Sequence, residues 1–269
     1  MLHHEISGNG KKPLVLLHGF MENTTIWDEM EAHLSKDFTL IKIDLPGHGK
    51  SKVYQEIHTL ELMAEKVKEV IDALKLEKIN LLGHSLGGYV SLAFAEKFPE
   101  ILESMTLFFS TTVADDEEKK AIRRRSIAVI DENFETFVKT SIPNLFSNNE
   151  KDILEGKIEL AKNIAKSTNK EGVKAAQLGM AERPDRTEIL ENLDAKILII
   201  AGKYDNAVKT ENLLKIIPEK TNIKTYVLIA DTTDTGKNQQ FVQKLSIQNC
   251  CIICRSILFC KISLLLFTI

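Results

Sequence analysis

Short apolar runs alternate with longer amphipathic segments along much of this chain. Runs of four or five mostly apolar residues, bounded by turn residues, are typical of parallel strands that are buried on both faces. These runs lie at 13–17, 39–43, 79–82, 105–109, 197–201 and 225–229. Between them, 58–74 places apolar side chains near one face at a helical period, and 89–98 is apolar and Ala-rich up to Pro99. The alternation predicts an α/β fold with a mostly parallel sheet and helices on both faces.

A charged stretch with helical character interrupts this alternation. It begins with the acidic run 115–118, which favours a helix N-terminus, and it soon reaches three consecutive arginines, Arg123, Arg124 and Arg125. The arginines either bind an anionic substrate or form a solvated helix face, and the second interpretation is preferred. We predict that the stretch is a helical cap inserted into the fold. The predicted parts are a core at 1–113 and 187–228, the cap at 114–186, and an atypical tail at 229–269.

The composition bounds the class of protein. The 269 residues are 43% hydrophobic and 27% charged, which suits a protein with a well-packed core. A formal net charge of −3 gives no electrostatic reason to expect nucleic acid as a partner. Residues 1–5 contain no basic region followed by an apolar run, which predicts a chain without a signal peptide and a cytoplasmic location.

The cysteines all lie late in the chain, at Cys250, Cys251, Cys254 and Cys260. No disulfide framework is therefore expected in the main body. Cys251 and Cys254 have the spacing of a redox or zinc pair, but the chain offers no second ligand pair. Incidental residues in an apolar tail are the preferred interpretation, and we predict neither a cofactor nor a metal site.

One motif carries the candidate chemistry. Residues 83–87 read Gly-His-Ser-Leu-Gly, directly after a predicted strand and before a predicted helix. This is the context of a nucleophile elbow, in which Ser85 occupies a sharp turn. The flanking glycines allow the strand and the helix to approach closely. We predict Ser85 as a nucleophile, and an ordinary strand-to-helix turn is the alternative.

Three further turns follow predicted strands. Residues 18–20 read His-Gly-Phe, and such a turn can direct the backbone N–H of Phe20 at a developing oxyanion, with the N–H of Leu86 as second donor. Asp205 follows the run 197–201, at a strand end where α/β sheets place their sites, although a surface turn is the alternative. Gly47-x-Gly49 resembles a phosphate loop but lacks the third glycine, so a structural turn is preferred.

The chain offers no obvious base for the serine. A serine hydroxyl needs a base to remove its proton, yet all seven histidines lie at or before residue 84. His18 precedes the nucleophile by one strand, and a structural hydrogen-bonding role is preferred for it. His84 adjoins Ser85, and neighbouring side chains on a tight turn usually point apart. No histidine follows Asp205.

In order and spacing, these motifs resemble the α/β-hydrolase superfamily over residues 1 to about 228. The resemblance rests on the turns at 18–20, 44–51, 83–88 and 202–205. It implies that Ser85 is the nucleophile, Asp205 the acid, and the amides of Phe20 and Leu86 the oxyanion donors. A serine at the elbow argues against the haloalkane dehalogenases, which carry an aspartate there. The family's next motif is Gly-His after the last strand, and Lys237 does not match it.

The resemblance implies a serine hydrolase for a small carboxylic ester or thioester, impaired here by the missing histidine. Two alternatives stay open. One is a C–C lyase or synthase of the menaquinone-pathway type, which shares the fold and would be favoured by arginines lining the pocket. The other is a non-catalytic ligand-binding relative.

We hypothesise that a reading-frame shift produced the unusual tail. If one G is restored before the codons of residues 229–234, with third bases chosen to suit, they read Asp-Cys-Gly-His-Asn-Gly, which contains the missing motif. The apolar stretch 250–269 has about the length of a membrane span, but Arg255 and Lys261 fall inside it. A frame-shifted tail is preferred to a membrane anchor.

Overall fold

An eight-stranded sheet forms the body of the protein in the computed structural model, which describes residues 1–146, 154–203, 205, 208–229 and 242–246. The strands are β1 (His4–Ser7), β2 (Lys12–Leu17), β3 (Phe38–Ile43), β4 (Ile79–His84), β5 (Leu102–Phe108), β6 (Lys196–Gly202), β7 (Ile223–Ile229) and β8 (Val242–Ser246). Their order in the sheet is β1-β3-β2-β4-β5-β6-β7-β8. Only β1 among these is antiparallel to its neighbour. The predicted α/β fold class is confirmed.

Eight helices accompany these strands in the described part of the chain. They are α1 (Asp28–Leu34), α2 (Leu60–Ala73), α3 (Leu86–Lys97), α4 (Glu117–Ser141), α5 (Glu155–Ser167), α6 (Lys170–Glu182), α7 (Glu188–Asn192) and α8 (Thr210–Ile216). Short 3₁₀ turns lie at Thr24–Trp27, Pro99–Ile101 and Ile142–Leu145. None of the described helices combines the length and the apolar character that a bilayer span requires.

The central strands are apolar along their length because both of their faces are covered. In β2, Val15 and Leu17 belong to the core on the side of α2 and α3, whereas Leu14 and Leu16 pack on the opposite side with Trp27. The helix α3 runs through the interior, with ten of its twelve residues buried. An apolar helix of this kind has no solvent face, which explains the continuous hydrophobic pattern after the elbow.

Two strands were not predicted. The edge strand β1 has the sequence His-Glu-Ile-Ser and is only half-buried, so it shows no apolar run. The strand β8 lies within the predicted atypical tail and pairs in parallel with β7. Residues 230–241 and 247–269 lie outside the described residues, together with Lys237, the four cysteines and the apolar stretch 250–269. The frame-shift interpretation of the tail therefore stays a prediction.

A helical layer made of α4, α5 and α6 packs on the sheet domain. The layer has its own apolar cluster, which includes Ile130, Phe137 and Val173 and which also takes in Met21 from the loop after β2. The backbone of α6 contacts the backbone of the core at Gly172 and Gly47. A Cβ atom on Gly172 would lie 2.2 Å from the carbonyl oxygen of Gly47, so glycine is required there. The helices occupy the stretch predicted as a cap, and the domain boundaries at 114 and 186 stay a prediction.

Ion pairs join the two ends of this layer to each other and to the core. The buried carboxylate of Asp115 accepts from Arg123 Nε at 2.5 Å and from Arg183 Nη2 at 2.9 Å. Arg186 bonds Glu96 at 3.0 Å and also Glu61. Arg124 and Arg125 are exposed, which supports the interpretation of a solvated helix face.

Candidate active site

Ser85 lies on a strained turn between β4 and α3. Its φ and ψ are 48° and −111°, a conformation that non-glycine residues rarely adopt. Such strain costs about 1–3 kcal/mol and persists only where neighbouring bonds enforce it. Here the N–H of Ser85 donates to the carbonyl of Phe108 at 3.0 Å, and its own carbonyl accepts from Ser110 Oγ at 2.9 Å. A glycine would adopt this conformation without strain, so the presence of a serine points to a use for the hydroxyl.

The glycines on either side of the serine permit a very close approach of backbones. A Cβ atom on Gly83 would lie 2.2 Å from the carbonyl oxygen of Gly87. A Cβ atom on Gly87 would lie 2.2 Å from the carbonyl oxygen of Leu17. Real Cβ atoms do not tolerate such distances, so the elbow geometry requires glycine at both positions.

A second tight turn follows β2, the strand next to β4 in the sheet. The N–H of Glu22 donates to the carbonyl of Gly19 at 3.3 Å, and Met21 adopts a left-handed φ of 57° at the third position of the turn. Leu17 is the register partner of Gly83, so this turn and the elbow lie at the same edge of the sheet. The predicted donor Phe20 therefore belongs to the turn beside the elbow, and Leu86 begins the helix α3.

His18 uses both ring nitrogens in backbone hydrogen bonds. Nδ1 lies 2.7 Å from the carbonyl oxygen of Gly19, and Nε2 accepts from the N–H of Leu45 at 2.9 Å. Complete burial lowers the pKa of His18 to about 4, so the ring stays neutral at physiological pH. This geometry supports the structural role and leaves no ring nitrogen for a catalytic proton.

His84 turns toward the neighbouring strand and pairs with a carboxylate. Its Nδ1 lies 2.8 Å from Glu22 Oε2, and its ring packs edge-on against Phe108 with 5.9 Å between ring centroids. The same Oε2 atom accepts from the N–H of Gly19 at 2.6 Å. Burial opposes ionisation of Glu22, yet the charge and hydrogen bond of His84 and the Gly19 N–H together hold the pKa of the carboxyl below its usual value. Sequence reasoning did not select Glu22.

Asp205 lies beyond the carboxyl end of β6. Its N–H donates to the carbonyl of Gly202 at 3.2 Å, and its Oδ1 accepts from the N–H of Val208 at 2.9 Å. Strand β5 separates β4 from β6, so Asp205 and Ser85 follow strands that end at the same edge of the sheet, one strand apart. The side chain is half-buried. This placement is compatible with the acid role that the sequence predicts.

The turn at Gly47 and Gly49 is held by an internal carboxylate. Asp44 accepts from the N–H of Thr24 at 2.8 Å and from the N–H of Lys50 at 2.9 Å. Gly49 has a left-handed φ of 52°, and a Cβ atom there would lie 2.2 Å from the Asp44 carboxylate. A carboxylate that fills the turn disfavours phosphate, so the geometry supports the structural interpretation.

The sequence pattern of the alpha/beta hydrolase fold family matches residues 12–234. The chain therefore belongs to that family. A thermophilic esterase from Thermogutta terrifontis is similar in structure, with a TM-score of 0.77, 33% sequence identity, and coverage of 85% of this chain and 84% of that one. The family and the esterase agree with the observed fold.

Two curated relatives extend the comparison. A Bacillus subtilis protein provisionally named 2-succinyl-6-hydroxy-2,4-cyclohexadiene-1-carboxylate synthase is 27% identical over 208 residues, which are 73% of this chain and 75% of that protein. An uncharacterized Mycobacterium tuberculosis protein is 33% identical over 111 residues, which are 41% of this chain. The matched part is 32% of the mycobacterial protein, so this chain spans about a third of that relative's length.

Proposed function

We propose that this chain is built as a serine hydrolase for a small carboxylic ester or thioester. The observation that carries the proposal is the strained turn at Ser85, whose φ of 48° is enforced by its neighbours. The similarity to a thermophilic esterase at 33% identity supports the same substrate class. A hydroxyl presented at the N-terminus of α3 has the helix dipole beneath it, which favours negative charge.

In the proposed reaction, Ser85 Oγ attacks the carbonyl carbon of the ester and the carbonyl oxygen becomes an oxyanion. The N–H groups of Phe20 and Leu86 donate hydrogen bonds to that oxyanion. A base takes the serine proton and returns it to the leaving alcohol or thiol, and Asp205 orients the base. Water then hydrolyses the acyl-enzyme by the same steps.

The base is the part that this chain lacks, because no histidine follows Asp205. His18 has both ring nitrogens engaged with backbone groups, and His84 holds Glu22. Loss of one triad member leaves the residual catalysis of binding and the oxyanion hole. We propose that the chain as written is impaired by a factor on the order of 10⁴–10⁶ in kcat.

The experiment compares this chain with a version whose tail is restored to Asp-Cys-Gly-His-Asn-Gly from residue 229 onward in the corrected frame. Hydrolysis of p-nitrophenyl acetate and butyrate is measured for both proteins. Ser85→Ala in each protein sets the blank, and Ser126→Ala on α4 is the matched control. We expect the restored protein to gain activity that Ser85→Ala removes and Ser126→Ala keeps. Equal rates in the original and restored proteins would contradict the missing-base argument.

A C–C lyase or synthase is the second candidate, and the similarity to the Bacillus subtilis protein favours it. The buried arginines between α6 and α7 weigh against it, because Arg183 and Arg186 are paired with carboxylates of this chain and are less available to a polycarboxylate. A restored protein that turns over no p-nitrophenyl ester but eliminates from a polycarboxylate would establish the lyase. Thermal stabilisation by ligands without turnover, in both proteins, would favour a binding module instead.

A further inference from the structure

One carboxylate joins the two turns of the candidate site. Glu22 Oε2 accepts from the N–H of Gly19 at 2.6 Å and lies 2.8 Å from His84 Nδ1. The side chains are 18% exposed for Glu22 and 14% for His84, so solvent screens the pair only weakly. Because a single oxygen receives both donors, neither turn can shift without lengthening a hydrogen bond that is largely shielded from water.

On one side, the carboxylate fixes the turn that follows β2. The turn from Gly19 to Glu22 is closed twice, by the backbone bond from the Glu22 N–H to the Gly19 carbonyl and by the bond from the Gly19 N–H to the Glu22 side chain. A Cβ atom on Gly19 would lie 2.7 Å from Glu22 Oε2 and 2.8 Å from His84 Nδ1. The carboxylate and the imidazole therefore press directly on the backbone that leads into Phe20.

On the other side, the bridge fixes the end of β4. His84 is the last residue of that strand and immediately precedes Ser85. Its ring is held between Glu22 and the ring of Phe108, whose carbonyl also accepts the Ser85 N–H. The bridge thus reaches the elbow one residue before the nucleophile and two before Leu86.

A buried carboxylate is costly unless charged or polar partners satisfy it. No lysine or arginine pairs with Glu22 among the described residues, and its partners are one amide and one imidazole. The arrangement is poor as a general source of stability, since apolar residues would fill the same space without desolvating a charge. It does supply a fixed distance between two turns that the sheet alone connects only through backbone bonds of β2 and β4.

We propose that Glu22 and His84 are positioning residues, which hold the turn that presents the Phe20 N–H at a set distance from the elbow that presents the Leu86 N–H. The inference rests on the proposed function, because it assumes that these two amides bind an oxyanion. Oxyanion donors act only when they are aimed before the charge develops, and removal of one donor costs about 10²–10³ in kcat. Misplacement of a donor should therefore slow the chemical step and leave ground-state binding nearly unchanged.

The test uses the full chain and a small alkyl fluorophosphonate. Ser85 Oγ forms a bond to phosphorus, the P–F bond breaks, fluoride leaves, the serine proton passes to solvent, and the phosphoryl oxygen occupies the oxyanion position. Intact mass gives kinact and KI, with Ser85→Ala as the blank. Glu22→Ala should lower kinact about 10- to 100-fold and keep KI within twofold. His84→Ala should act in the same direction, and Glu22→Gln, which keeps an acceptor for Gly19, should lose less than Glu22→Ala.

Glu31→Ala is the matched control. Glu31 lies on α1 and, like Glu22, is a half-buried acid that accepts a hydrogen bond, in this case from Lys42 at 2.8 Å. It should leave kinact within twofold of the unmodified chain. Amide hydrogen exchange at Gly19, read by NMR, is the second measurement and needs no reactivity. Exchange at Gly19 should accelerate at least tenfold in Glu22→Ala and not in Glu31→Ala.

The two measurements separate the failures. If the unmodified chain labels no faster than Ser85→Ala, the missing base accounts for it, and the same variants are labelled in the frame-restored protein. If the frame-restored protein also labels no faster than its Ser85→Ala variant, the proposed function fails, and the exchange at Gly19 alone then decides whether the bridge holds the turn. If the chain labels and Glu22→Ala labels equally fast, the positioning role is overturned whatever the exchange shows. If Glu22→Ala does not fold, His84→Ala decides, and a kinact equal to that of the unmodified chain overturns the proposal.

Discussion

Acid should destabilise this protein well above the pH at which its carboxylates titrate. Burial lowers the pKa of His18 from its ordinary value of 6.5 to about 4. Burial and the nearby charge of His18 lower the pKa of His48 to about 3, and burial also lowers the pKa of His58. The rings of His18 and His48 lie 5.2 Å apart between centroids, so both belong to one buried cluster beside the candidate site.

The direction follows from proton uptake. Below pH 6.5 the unfolded chain binds a proton at each of these histidines, whereas the folded protein keeps the rings neutral until about pH 4 for His18 and about pH 3 for His48. The stability is therefore fully present above pH 6.5 and is lost as the pH falls. At pH 5, about 1.5 pH units below the unfolded value, each histidine contributes a loss of about 2 kcal/mol at about 1.4 kcal/mol per unit. Two such losses are a large fraction of a typical stability of about 5–15 kcal/mol.

Urea unfolding, followed by the fluorescence of the buried Trp27, measures the loss between pH 7.5 and pH 5. The range stops at pH 5 to keep carboxylates out of the measurement. Glu22 and Asp115 have pKa values lowered by folding, so they reduce the free energy of unfolding only as the pH falls through the ordinary carboxyl values of 4.5 and 3.8. His48→Asn is the informative variant. Its amide can replace the bond from Nδ1 to the Pro46 carbonyl, and Nε2 of His48 has no hydrogen-bond partner in the described part of the chain.

The variant should lose about 2 kcal/mol less than the unmodified chain over this pH range, whatever its absolute stability. His33→Asn, at a half-buried position in α1 outside the cluster, should keep the full loss. A loss below about 1 kcal/mol in the unmodified chain, or an equal loss in His48→Asn, would refute the argument, since each buried histidine must account for about 2 kcal/mol.

The remaining predictions concern stability at fixed pH. Asp115→Ala leaves Arg183, whose side chain is 5% exposed, without its carboxylate and should cost about 3–5 kcal/mol in urea unfolding, whereas Asp116→Ala removes only an exposed helix cap and should cost about 1 kcal/mol. Gly87→Ala forces a Cβ atom to 2.2 Å from a carbonyl oxygen of β2 and should cost at least about 2 kcal/mol, whereas Gly156→Ala enters open space on α5 and should be neutral or stabilising. Equal losses within either pair would contradict the structural explanation.

The strands at the centre of the sheet could be predicted because their burial on both faces produces a local run of apolar residues. A strand with both faces covered needs apolar side chains at every position, and Leu14 to Leu17 are all buried. The elbow could be predicted for a similar reason, since close contact of backbones requires glycine at fixed positions. The edge strand β1 could not, because a half-buried strand of four residues carries no pattern that distinguishes it from a loop.

Glu22 could not be predicted because its role arises from contacts between distant parts of the chain. It lies in a loop and is separated by 62 residues from His84, and an isolated acidic residue in a loop is most often solvated. The sequence around its partner, His84, did not indicate this contact either. The sequence argument that His84 and Ser85 point apart is consistent with the pairing of His84 with Glu22, but it names no partner.

A frame shift near residue 229 would affect the parts of the candidate site differently, according to their position in the chain. The strained serine depends on glycines and on backbone bonds from β4 and β5, and the turn at Phe20 depends on β2 and the Glu22 side chain. All of these residues precede residue 111, so a change of reading frame near residue 229 leaves them intact. By the resemblance to the family, the catalytic base would instead be a single histidine after the last core strand. If a late frame shift removed the proton relay, it left the elbow intact, and restoring the reading frame from residue 229, with Ser85 unaltered, is expected to recover the proposed hydrolysis.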